Sequence, residues 1–130
     1  RRSAQMTFLP SFNRKRVYIA HRISAAPLKN IRRVKAICEV VMAHHNYWPI
    51  APYLLALELL DNDSPKDYQL GLLSNLPYFT EKFIDELWIF DSNKGTAMSK
   101  GVALEYVWAC AHDIPVKYKS FQYYEVLDEL

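Results

Sequence analysis

Two runs of this chain, Val17-Tyr18-Ile19-Ala20 and Leu87-Trp88-Ile89-Phe90, carry β-branched and aromatic residues with no polar break. A strand with one face in water alternates apolar and polar residues, whereas a strand covered on both faces does not. Both runs therefore read as interior strands of a sheet with helices on each side.

Helical periodicity fills the space between the strands. The first strand is expected over Arg16–Ala20, followed by a loop from His21 to Lys29 that contains Pro27. Asn30 is the expected cap of the next helix. Ile31, Val34, Cys38, Val41 and His45 repeat at three and four residues and mark its apolar face. Tyr47–Ala51 reads as a second strand, and its Pro49 suits an edge or a strand start. Tyr53–Leu60 reads as a short helix, ended by the turn chemistry of Asp61-Asn62-Asp63-Ser64-Pro65. Lys66 to about Lys82 is helical, with a break at Pro77. A third strand is expected over Asp85–Phe90, a helix over Gly101–His112 and a last strand over Pro115–Tyr118. The tail from Phe121 to Leu130 can form a final helix with Tyr123, Tyr124 and Leu127 on one side. Strands alternating with helices give an α/β class with a parallel sheet.

At 130 residues, 51% of them hydrophobic, the chain is long enough for one domain with a sizeable core. Residues 1–15 read as an N-terminal extension and 16–130 as the domain. A net charge of +2 and only two short basic clusters, Arg14-Lys15-Arg16 and Arg32-Arg33, argue against a polymeric nucleic-acid partner. No apolar run reaches the ~18 residues of a membrane span. The opening residues lack the apolar core of a signal peptide, so a cytoplasmic location is expected. Cys38 and Cys110 lie on helical patterns among apolar neighbours and read as buried free thiols, which fits a reducing compartment. No metal is expected. Adjacent histidines such as His44-His45 point in different directions on a helix, and Asp61-Asn62-Asp63 lacks the glycine and distal glutamate of a calcium loop.

Chemistry is expected in the passage from the third strand into the following helix, because ligands of open parallel sheets bind at the carboxyl ends of strands. Two of only three glycines, Gly95 and Gly101, fall there. Ser99 can cap the helix and aim its first N–H groups at an anion. Glu105 shares a helix face with Gly101, Val102, Trp108, Ala109 and His112, so one carboxylate stands on a mainly apolar face beside a residue with no side chain. Six residues of helical rise separate Ser99 and Glu105 by about 9 Å along the axis, the order of a nucleotide's sugar-to-phosphate span.

Taken in order, Val17-Tyr18-Ile19-Ala20, Ala51-Pro52-Tyr53-Leu54-Leu55, the Asp61-Asn62-Asp63 turn, Asp85-Glu86-Leu87-Trp88-Ile89-Phe90, Ser99-x-Gly101-Val102-x-x-Glu105 and Ile114-Pro115-Val116 resemble the nucleoside 2-deoxyribosyltransferase-like superfamily, over roughly residues 16–118. The resemblance implies that Glu105 is a nucleophile toward the anomeric carbon of a (deoxy)ribosyl group. The covalent sugar ester then passes to water or to another base. A charged carboxylate among apolar walls needs a donor, and Tyr18 is the candidate. Serine at position 99, where transferases of free nucleosides tend to carry an acid, is similar to the branch that cleaves deoxynucleoside 5′-monophosphates. Ser99, Gly101, Ser24, Arg22, His21 and Asp85 form the sugar- or phosphate-binding set that the resemblance implies. No cofactor is implied, and a homodimer or higher homo-oligomer is expected, with Tyr123 and Tyr124 available to close a partner's pocket.

Two departures weigh on catalysis. His21 and Arg22 stand where the superfamily's first loop usually carries glycine. Pro77 stands where many members place an acid for the leaving group, and Asp61, Asp63 or Asp67 would have to serve. The expected architecture is a single Rossmann-like, flavodoxin-like α/β domain, with a four- or five-stranded, mostly parallel sheet and helices on both faces. The expected function is N-glycosidic cleavage or (deoxy)ribosyl transfer on a nucleotide or nucleoside. The alternative is a non-catalytic protein that sequesters or senses the same small molecule.

Overall fold

The structure is a computed structural model that describes residues 11–90 and 98–119. In chain order its elements are β1 (Lys15–Ala20), α1 (Pro27–Ala43), β2 (Tyr47–Ile50), α2 (Tyr53–Leu59), α3 (Pro65–Leu73), α4 (Pro77–Thr80), β3 (Glu86–Ile89), α5 (Lys100–Ala111) and β4 (Val116–Tyr118). The four strands are all parallel, in the order β2-β1-β3-β4. That is the flavodoxin-like arrangement, in which the chain leaves β1 in one direction along the sheet and later returns to β1's other side.

Period-two geometry explains why the two interior strands lack polar residues. Val17 and Ile19 point to one face of the sheet, where they pack with Trp88, Phe90 and the Val34, Ile37 and Val41 stripe of α1. Tyr18 and Ala20 point to the other, against Leu87, Ile89, Phe79 of α4, and Val102 and Ala109 of α5. Both faces are covered, so every residue from Val17 to Ala20 is buried. β2 is an edge strand, and this is where its Pro49, which lacks an N–H, can be accommodated.

The element types follow the sequence reading, with local corrections. α1 starts at Pro27, with Ala26 as its uncapped N-cap, and not at Asn30. Proline's fixed φ and missing N–H suit a first helical position, so the helix begins one turn earlier. Asn30 is instead buried, and its Nδ2 donates to the Ile23 carbonyl at 3.0 Å, tying down the loop after β1. α1 ends at Ala43, which leaves His45 outside its apolar stripe and exposed. Cys38 is only partly buried and Cys110 is exposed, although both thiols are free. Burial pushes the Cys38 thiol up to about 12, aided by the charge of Glu39. Of the expected N-terminal extension, Arg14 donates to the Met42 carbonyl at 2.7 Å, and Phe12 meets Trp48 edge-on at 5.6 Å. Residues 1–10, Gly95 and the expected tail helix with Tyr123 and Tyr124 lie outside the described residues. Among the described residues no helix is long and apolar enough to cross a membrane.

The amino-terminal end of the sheet is held by charge. Glu86, on β3, is buried, yet its carboxylate lies 3.2 Å from Lys15 Nζ on β1 and 3.2 Å from Lys117 Nζ on β4. Trp88 Nε1, two residues along on the same face, donates to it at 2.8 Å. Burial alone would raise this carboxyl, but the Trp88 hydrogen bond and the two ammonium groups outweigh it and hold it below the ordinary range. A lowered folded value means that this stabilisation is present above the ordinary carboxylate pKa and is lost as pH falls through the folded one. Glu86→Gln is expected to cost about 1–2 kcal/mol at neutral pH, because solvent screens the half-exposed lysines. It is also expected to flatten the acid limb of stability. Urea melts from neutral pH to about pH 3 measure both, and an unchanged acid limb would remove Glu86 from this role.

Candidate active site

A cavity of about 380 Å³ opens at the carboxyl ends of the strands, within the range of about 300–1,000 Å³ typical of small-molecule clefts. His21, Ile23 and Ser24 of the loop after β1 form one wall, and Ser99 to Val102 with Glu105 form another. The site thus lies between the segments that follow β1 and β3, the switch point of this strand order. The α2–α3 hairpin supplies the rest through helix-face spacing. Tyr53, Ala56 and Leu57 come from α2, and Tyr68, Gly71 and Leu72 from α3, continued by Asn75 in the turn that follows. Asn62 and Asp63, from the turn between the two helices, complete the lining. The two helices approach closely at Gly71, where a Cβ would lie at contact distance, 3.4 Å from Leu60 Cδ1 and 3.6 Å from Ala56 Cβ.

Glu105 is only 5% exposed and belongs to this lining. The Tyr18 hydroxyl donates to Glu105 Oε2. Tyr18 reaches it because the even-numbered side of β1 faces α5, and its ring is wedged by Phe79, with centroids 5.0 Å apart. Burial, and then the Glu105 charge, push the Tyr18 phenol well above its ordinary value. The hydroxyl therefore stays protonated and remains a donor. Tyr53, whose hydroxyl donates to the Ile19 carbonyl, is shifted the same way for the same two reasons.

Ser99 caps α5, its Oγ accepting from the Val102 N–H at 3.3 Å, so the first turn of a twelve-residue helix is presented to the cavity with the exposed Lys100 beside it. Gly101 also lines the cavity, and a Cβ there would meet only Leu72 Cδ1, at 3.8 Å. His21 is buried and lines the cavity. Its Nδ1–H donates to the Arg22 carbonyl at 2.6 Å.

The structure therefore brings Glu105, Tyr18, Ser99, Gly101, Ser24 and His21 together. It does not bring Arg22 or Asp85. Arg22 is half-buried and outside the lining. Asp85 precedes β3 at the opposite end of the sheet, where its carboxylate accepts from the Arg16 N–H at 2.8 Å and lies 3.8 Å from Arg16 Nε. In a parallel sheet, a residue before a strand cannot serve a site beyond the strand ends. Of the three candidate acids near the turn, Asp63 lines the cavity, whereas Asp61 and Asp67 do not. Asp67 accepts from the Asp61 N–H at 3.0 Å and Asp61 from the Asp63 N–H at 3.0 Å, so these two carboxylates shape the turn that presents Asp63. Sequence reading did not single out Tyr68, Asn75 or Lys100. The spacing Tyr68, Gly71, Leu72, Asn75 was a detectable helix face, but nothing in it distinguished a cavity wall from a core. Among the described residues no group of three or more His, Cys, Asp or Glu side chains could hold a metal ion.

Residues 15–119 match the family described as Domain of unknown function (DUF7768). The chain belongs to that family. The matched span of DUF7768 starts with β1 and ends one residue after β4, so it contains every strand and every cavity-lining residue. No curated protein and no solved structure matches the chain.

Two outcomes follow from this geometry. Tyr18→Phe is expected to lower stability at neutral pH by about 1–3 kcal/mol, by stripping a donor from a buried carboxylate. Because the folded phenol value is raised, the Tyr18 contribution is lost as pH rises past the ordinary phenol range, and the variant loses that part of the alkaline slope. Denaturant melts on both sides of about pH 10 test this. Gly101→Ala is expected to gain up to about 1 kcal/mol in the helix while weakening ligand binding, since the added methyl enters the cavity beside Glu105. A loss of stability in that variant would contradict the open space at Gly101.

Proposed function

We propose that this protein cleaves or transfers the N-glycosidic bond of a nucleotide or nucleoside, with Glu105 as the nucleophile. The observation that carries the reading is a buried carboxylate that accepts from a buried tyrosine and forms part of a cavity at the switch point of a parallel sheet. In the proposed reaction Glu105 attacks the anomeric carbon, and the C–N bond breaks with its electron pair leaving on the base nitrogen. Asp63 or water supplies the proton that the base takes up. Water, or a second base, then attacks the anomeric carbon of the ester, which frees the sugar product and returns the carboxylate. Tyr18 holds the nucleophilic oxygen in line. Ser99, Ser24 and Lys100 at the α5 N-terminus suit a 5′-phosphate, which favours a monophosphate over a free nucleoside. The reading carries with it a cytoplasmic location, consistent with the free thiols, and a homodimer or higher homo-oligomer.

A non-catalytic nucleotide-binding protein is the second reading. It is favoured by Pro77 in the place of the leaving-group acid and by the buried His21 in a loop without glycine. Incubation with a panel of nucleosides and 5′-monophosphates, followed by chromatography of free base, separates the two. The expected result is base release, fastest with a monophosphate, that Glu105→Gln reduces by at least about a thousandfold and Asp63→Asn reduces less. Tight binding with no base release would establish the second reading.

A further inference from the structure

The cavity holds a polar group that the proposed chemistry does not use. Asn75 is 3% exposed and lines the cavity at the end of α3. Its Oδ1 is buried and has no hydrogen-bond partner among the described residues. Its main chain is satisfied locally: its N–H donates to the Leu72 carbonyl at 3.3 Å, and its carbonyl accepts from Tyr78 at 3.2 Å. The turn therefore needs nothing from the side chain. A buried acceptor without a donor costs about 1–3 kcal/mol, and folded proteins leave few of them. Leucine has the same branching and the same number of heavy atoms, though its methyl groups are bulkier, and would carry no such cost. The χ2 torsion of an asparagine is soft and roughly two-fold, so the two ends of its amide can exchange places.

We propose that Asn75 is a ligand-recognition residue whose carboxamide oxygen accepts a hydrogen bond from an N–H or O–H donor of the bound molecule. The neighbouring wall fits the role. Leu72 and Gly71 on the same helix face are apolar and small, so this is the one side-chain amide on that stretch of α3 wall, and Asn62 approaches from the other end of the helix. A polar group set among apolar ones discriminates strongly, because a ligand that lacks the donor leaves it unpaired again. The inference rests on the nucleotide reading for the identity of the donor. A nucleobase amine and a sugar hydroxyl both supply the required chemistry.

The test compares Asn75→Leu with the unaltered side chain in two measurements. In urea melts of the ligand-free protein the variant is expected to be at least as stable. A loss of tenfold or more in the folding constant in Asn75→Leu and in the smaller Asn75→Ala alike would show that the amide serves the fold and would overturn the proposal. Dissociation constants are then measured in the Glu105→Gln background, where the ligand is not consumed. The probes are adenosine 5′-monophosphate, its 2′-deoxy form and purine riboside 5′-monophosphate, which lacks the amine. Asn75→Leu is expected to weaken adenosine 5′-monophosphate by about tenfold or more. The probe that lacks the relevant donor is expected to bind weakly to both proteins and so identifies the amine or the 2′-hydroxyl as the source. Asn75→Ala serves the same comparison if leucine overfills the place. Binding that neither variant changes overturns this inference alone. An unaltered protein that binds none of the probes overturns the nucleotide reading and this inference with it.

Discussion

A carboxylate taken out of water must be met by donors, and this chain meets Glu105 with a phenol from the middle of its sheet. The bond links two elements distant in sequence, β1 and α5, within the core layer between the sheet and that helix. It cannot be made unless β1 is interior, its even side faces α5, and Phe79 and Tyr53 wedge the Tyr18 ring. The local packing of that layer is thus also the positioning of the carboxylate. Burial raises the phenol's proton affinity and keeps it a donor over the whole physiological range.

The two ends of the sheet do different work. At the amino-terminal end, Glu86 gathers Lys15 and Lys117 from the flanking strands, and Asp85 engages Arg16. Lys119 stacks over Trp88 at 4.0 Å near the far edge. Among the described residues these charged pairs hold strand to strand and face no cavity. At the carboxyl-terminal end the strands release the chain into the β1 loop and into α5, and the α2–α3 hairpin folds over the gap. Parallel topology enforces this division, because every strand must begin at one end and finish at the other.

Much of this was legible in local sequence. Unbroken apolar runs identified the interior strands, Pro49 the edge and Pro77 the break between two helices, because each depends on a backbone property or on a one-dimensional period. Ser99 as a cap and Glu105 on an apolar face followed from spacing within one helix. Asn30 was misread because asparagine and proline both mark helix starts, and the proline three residues earlier prevailed. Asp85 was misassigned because a strand motif does not reveal which of its ends faces the site. His21 reads as loop in sequence, and its burial in the cavity wall follows from no local pattern.

Sequence alone determined the class of fold, the order of its elements and one helix with an acid aimed along its apolar side, since all of these come from local propensity and periodicity. Tertiary structure alone decided that Asp63 and not its neighbours reaches the cavity, and that the Asn75 side-chain oxygen is buried without a donor. Each of those depends on how close two segments far apart in the chain come to one another, a distance that no local period contains.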